Sequence, residues 1–147
     1  MVDMMANLYI DIDGVLLGRK SQADLETGLA KGAEEFLELA LAHYNCYWLT
    51  SHCKSGNAQD ALDRLKPFAN KQVLKLAEQV QPTSWQQRKT NAIDFSKDFL
   101  WVEDHLFESE KAILQSQGCL DSLIEVDTRE RPDDLFYAIE VLKRPKP

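Results

Sequence analysis

Four places along the chain carry side chains suited to phosphate chemistry, and each falls at the end of a short apolar run or at a helix start. Asp11 and Asp13 close the run at 8–12. Thr50 and Ser51 follow the run at 46–49, and Glu103 and Asp104 follow the run at 99–102. Lys89 opens a short helical stretch ahead of that third run. Phosphoryl transfer asks for such parts. A carboxylate nucleophile and an anionic phosphate repel each other, so a divalent cation must screen them. Mg²⁺ is a hard ion, held by one or two carboxylates together with water and phosphate oxygens. A second acid protonates the leaving oxygen, while a fixed cation and a hydroxyl bind the remaining oxygens as charge redistributes. In open α/β sheets such ligands sit beyond the carboxyl ends of the strands, where the strand order reverses.

The elements that must position these residues are legible in outline. Short apolar runs alternate with amphipathic stretches, the βαβ rhythm of a mostly parallel sheet covered by helices. Strands are predicted at 8–12, 46–49, 99–102 and 123–126. Helices are predicted at 31–44, Ala58–Leu65, 89–95, 106–117 and 133–143, with Pro67 stopping the second. Residues 14–30 form a looser segment with Gly18 and Gly28, expected to be a flap. Residues 50–57 read as a polar turn and 144–147 as a frayed tail. The stretch 68–85 favours a helix through Val73, Leu76, Ala77 and Val80, with room for a short strand near Pro82 or Trp85. The expected class is α/β, a three-layer Rossmann-like sandwich with a mostly parallel central sheet, in one domain spanning 1–147. A chain of 147 residues matches the commonest domain size, roughly 100–150 residues.

Composition narrows the function. The net charge is −7 with no basic stripe, which argues against a dedicated nucleic-acid surface, because that grip rests on Lys and Arg. Cys46, Cys53 and Cys119 form no C-x-x-C pair, so a reducing cytoplasm is the expected compartment. Residues 1–7 carry no signal-peptide pattern, and no apolar stretch approaches the ~20 residues that span a bilayer. Trp48, Trp85 and Trp101 read as packing residues, and His43 and His105 as surface or helix-end residues.

The ordered motifs resemble those of the haloacid-dehalogenase (HAD) superfamily of phosphatases. Asp11-Ile12-Asp13-Gly14-Val15-Leu16 resembles the first motif and Tyr47-Trp48-Leu49-Thr50 the second. Lys89, within Arg88-Lys89-Thr90-Asn91, resembles the third, and Leu100-Trp101-Val102-Glu103-Asp104 the fourth. The resemblance implies that Asp11 attacks phosphorus and carries an aspartyl-phosphate, and that Asp13 acts as general acid and then base. It implies that Thr50 or Ser51 and Lys89 bind phosphate, with Lys54 a rival lysine. Mg²⁺ would be held by Asp11, the main-chain carbonyl of Asp13, Asp104 and Glu103, with Glu108 a more distant carboxylate. Ser51-His52 stands where Asn often follows the second-motif hydroxyl. About 35 residues separate the first motif from the second, and about as many separate the second from Lys89, room for a crossover helix and little else, so the implied enzyme has no large cap. Such members often take bulky phosphorylated substrates, and the expected partner is a phosphorylated small molecule, nucleic-acid end or phosphoprotein.

Other readings compete. His52-Cys53-Lys54-Ser55-Gly56-Asn57-Ala58-Gln59 nearly spells the H-C-x5-R loop of cysteine-dependent phosphatases, in which a helix N-terminus lowers the thiol pKa. Gln59, however, stands at the arginine position and cannot form a charged fork, and Arg64 lies more than a helical turn away. On the plain structural reading, Ser55 is a helix N-cap. A signalling receiver would end its mid-chain strand in Asp rather than Thr50. A non-catalytic HAD-like binding or regulatory module should have lost Asp11 or Asp13, and both are present.

Overall fold

Strands that are apolar on successive residues need cover on both faces. In the computed structural model, which describes residues 5–144, the chain runs through β1 (Asn7–Ile10), a hairpin of β2 (Leu17–Arg19) and β3 (Thr27–Leu29), and helix α1 (Ala33–His43). It continues through β4 (Asn45–Trp48), α2 (Ala58–Leu65), α3 (Lys71–Ala77), β5 (Phe99–Glu103), α4 (Glu108–Ser116), β6 (Leu123–Glu125) and α5 (Leu135–Lys143). The frayed tail expected at 144–147 lies outside the described residues except for Arg144, and so do the first four residues of the N-terminal stretch.

The sheet is four-stranded and parallel, in the order β4-β1-β5-β6. Period-two alternation sends Leu8, Ile10, Leu100 and Val102 to one face, where they pack with Phe36, Leu37, Ala61, Leu65, Val73 and Ile139 of the helices. Tyr9, Phe99 and Trp101 go to the other face and meet Leu106 and Leu114. Helices therefore flank the sheet in a Rossmann-like α/β fold. Each such apolar side chain, fully buried, contributes about 1.5–3 kcal/mol, so the two faces hold the sheet between them. No helix among the described residues is long and apolar enough to cross a membrane.

The local differences from expectation have physical causes. The segment 14–30 carries the antiparallel β2–β3 hairpin, with Leu17 opposite Leu29 and Arg19 opposite Thr27. Its base at Val15, Leu16 and Leu17 is part of the core. The stretch 68–85 resolves into α3, capped by Asn70, whose Oδ1 accepts from Val73 N at 2.9 Å. Gln81 then bonds the outer edge of β4, accepting from Trp48 N and donating to Cys46 O. The helix expected at 89–95 is only a 3-10 turn at Lys89–Ala92. Asp94 takes the backbone N–H of Ser96 onto its own side chain, a local bond that competes with helix continuation. The cap of α2 is Asn57 rather than Ser55: Asn57 Oδ1 accepts from Gln59 N at 2.9 Å, and Ser55 pairs across to Ser84.

Candidate functional site

From β1 the chain leads toward β4, and from β5 toward β6, although β1 and β5 are neighbours. A crevice opens at such a reversal, between the carboxyl ends of the two strands. Asp11 stands just past β1, Glu103 ends β5 and Asp104 follows it. One carboxylate oxygen from each lies within 4.8 Å of the other two, a group able to hold a metal ion. Asp11 and Glu103 are 6% and 1% exposed. Ionised carboxylates crowded out of water are unfavourable without a cation among them.

Lys89 supplies one such cation. Its Nζ lies 3.2 Å from Asp11 Oδ2 and 2.7 Å from Glu103 Oε2. Burial first, and then the Asp11 carboxylate, push the Glu103 carboxyl well above its ordinary range, against the pull of Lys89. Burial works to lower Lys89, but Asp11 and Glu103 outweigh it and hold the ammonium firmly protonated. The backbone beside Lys89 is fixed by Glu110, a buried carboxylate whose Oε2 accepts from Thr90 N at 3.2 Å. Asp11 Oδ1 accepts from Ile12 N at 2.8 Å. Asp104 is paired separately, its Oδ2 lying 2.5 Å from Arg129 Nη2. Gly14, at φ 78°, lets the turn after β1 come close: a Cβ there would fall inside the Asp104 carboxylate.

The Asp13 side chain stands outside this triad. Its Oδ2 lies 2.6 Å from His52 Nε2, and its Oδ1 accepts from Arg64 at 2.6 Å from Nη2 and 3.2 Å from Nε. Burial works to raise the Asp13 carboxyl, but Arg64 and then His52 hold it below its ordinary range. The two candidate hydroxyls separate cleanly. Thr50 is buried and its Oγ1 accepts from His52 N at 3.3 Å, capping the 3-10 turn Ser51–Cys53. Ser51 lines the cleft. Lys54 lies over the Trp85 ring at 5.0 Å and bonds no member of the triad. Glu108 is exposed at the start of α4, away from the cleft wall. Cys53 is fully buried and its thiol donates to Thr83 O. Burial pushes that thiol above its ordinary pKa, the opposite of what a thiolate nucleophile needs.

The cleft has a volume of about 270 Å³. Its wall carries Asp11, Asp13, Ser51, Lys89, Glu103 and Asp104, with Trp85, His105 and Phe107 forming an aromatic side. No family model, curated protein or solved structure matches the chain. The case therefore rests on geometry: a small parallel α/β domain with a buried acidic cluster at its switch point.

Reading the sequence misses four residues of this site: Arg64, Arg129, Glu110 and His52 as a partner of Asp13. Each meets its partner across at least 20 residues of chain: Arg64 and His52 at Asp13, Arg129 at Asp104 and Glu110 at Thr90. Arg64 alone carries a signal, since it neighbours the buried Ala61 and Leu65 face of α2.

Proposed function

We propose that this protein is a Mg²⁺-dependent phosphomonoesterase that works through an aspartyl-phosphate on Asp11. The observation that carries the reading is the Asp11–Glu103–Asp104 triad with Lys89 bonded across two of its members. Four motifs resembling those of HAD phosphatases, in the same order, support it. An all-oxygen donor set suits a hard divalent cation, so the residues fit the ion. Asp11, Glu103 and Asp104 would hold it, with the Asp13 carbonyl. Bound there, it would offset the repulsion between carboxylate and phosphate and polarise a phosphoryl oxygen.

The chain's own residues divide the remaining work. The Asp11 carboxylate, held by Ile12 N and Lys89, attacks phosphorus and displaces the leaving oxygen. Lys89 and Ser51 bind phosphate oxygens, and Thr50 shapes the turn that presents Ser51. Asp13 and His52 share a hydrogen bond, so the proton for the leaving oxygen travels through that pair. Asp13, kept ionised by Arg64 and His52, then accepts a proton from the water that hydrolyses the acyl phosphate. An open cleft beside Trp85 and Phe107 suits a substrate whose remaining bulk lies outside.

Purified protein should release phosphate from an aryl phosphate in Mg²⁺ and stop when EDTA is added. Asp11→Asn should lower the rate by about 10⁴-fold or more, the scale of losing a covalent nucleophile. Undiminished turnover by that variant would sink the assignment. One observation favours a second reading, a non-catalytic binding module: every carboxylate of the triad already has a cationic side chain as partner. On that reading Mg²⁺ should not raise the melting temperature, and no phosphate ester should turn over.

A further inference from the structure

We infer that Arg129 is a substrate-phosphate ligand, held on Asp104 until a divalent cation takes that carboxylate. The inference rests on the phosphohydrolase reading above and adds to it a residue outside the four motifs.

The loop after β6 is built to present this side chain. Thr128, fully buried, donates its N–H to Gly14 O at 2.9 Å and accepts at its own carbonyl from Arg19 N at 3.1 Å. Its hydroxyl lies 3.1 Å from Val15 O and 3.3 Å from Leu17 O. On the other side, Asp127 Oδ1 accepts from Arg129 N at 3.0 Å and Glu130 N at 3.2 Å. The Asp127 N–H is itself tied to Asp134 Oδ2 at 2.8 Å. The backbone flanking Arg129 is thus fixed on both sides, while the side chain is half exposed and its tip enters the cleft.

The other cations near the cleft each have partners of their own. Arg64 makes two bonds to Asp13, Lys54 lies on Trp85, and Lys89 bridges Asp11 and Glu103. Arg129 has one contact to the triad, to Asp104. A guanidinium and a divalent cation repel each other, so they compete for the Asp104 carboxylate. Once displaced, the planar guanidinium matches the geometry of phosphate oxygens. It reaches the cleft from a different carboxylate than Lys89 does, so the two cations would not hold the same oxygens. The exchange costs little, since a partly exposed ion pair is weak.

The test uses Mn²⁺ and inorganic phosphate as probes, by calorimetric titration of the whole protein. Arg129→Gln should bind Mn²⁺ about two- to fivefold more tightly, the scale of one half-exposed ion pair lost as a competitor. With Mn²⁺ saturating, it should bind phosphate about tenfold or more weakly, the scale of a charge-assisted bond. Arg129→Lys should keep Mn²⁺ affinity near that of the unmodified protein yet still bind phosphate more weakly, because the fork is gone. Unchanged Mn²⁺ affinity in Arg129→Gln would overturn the exchange, and unchanged phosphate affinity would overturn the ligand role. If the unmodified protein binds no Mn²⁺ at all, the phosphohydrolase reading itself fails, an outcome distinct from either.

Discussion

Asp13 shows how neighbours divide roles between two carboxylates two positions apart in the chain. Asp11 faces Lys89 and the triad, whereas Asp13 faces Arg64 and His52. On the proposed mechanism, with Asp13 held ionised, the proton for the leaving oxygen comes by way of His52. His52→Ala should therefore lower kcat by about 10²-fold or more for an alkyl phosphate, the range of general acid catalysis. An aryl phosphate, whose leaving group needs no proton, should lose far less. Equal losses on both substrates would remove His52 from the proton path. At this scale the acidic residues were legible because they sit within a few positions of strand ends, where local pattern suffices. Arg64 and Arg129 were not, because their partners lie 51 and 25 residues away. Nothing in local spacing announces a contact that only the sheet topology creates.

Among the elements, the strands and α2 were readable because apolar runs and Pro67 mark them without help from tertiary contacts. The 14–30 segment was harder. Its strands are three residues each, too short for alternation to stand out, and Thr128, remote in the chain, clasps the hairpin at Val15, Leu17 and Arg19. Gly18 belongs to that clasp, since a Cβ there would collide with Thr128. The hairpin is in this sense a strap tied to the loop after β6. Thr128→Val should leave the Val15 carbonyl short of a donor, at a cost of about 1–3 kcal/mol. Hydrogen exchange at the amides of β2 and β3 should speed up selectively. Unchanged protection there would mean that the hairpin holds itself.

For the whole molecule, the triad is a place where stability and function pull apart. Glu103 has its carboxyl raised in the fold, so the neutral form favours folding. That contribution is present in full below the unfolded carboxyl value of about 4.3. It is lost as pH climbs from there toward the raised folded value. The metal-free protein should therefore melt at progressively lower temperature as pH rises above neutral. Mg²⁺ opposes this loss. At a hundredfold excess over its Kd it should add about 2.7 kcal/mol, or roughly 5–10 °C for a chain of this size. The Mg²⁺-induced rise should grow with pH. Glu103→Gln should flatten the pH slope and shrink the Mg²⁺ effect. A pH-independent melting temperature in the unmodified, metal-free protein would contradict the account.

The near-contact at Gly14 carries this tension into the covalent structure of the turn. The turn after β1 and the Asp104 side chain approach with no space between them for even a methyl group, so the third carboxylate keeps its post only while position 14 stays bare. Any residue larger than hydrogen at that point would act as a wedge and evict Asp104 from the rim. The first strand's turn is thereby made the gauge of whether the acidic cluster is assembled at all.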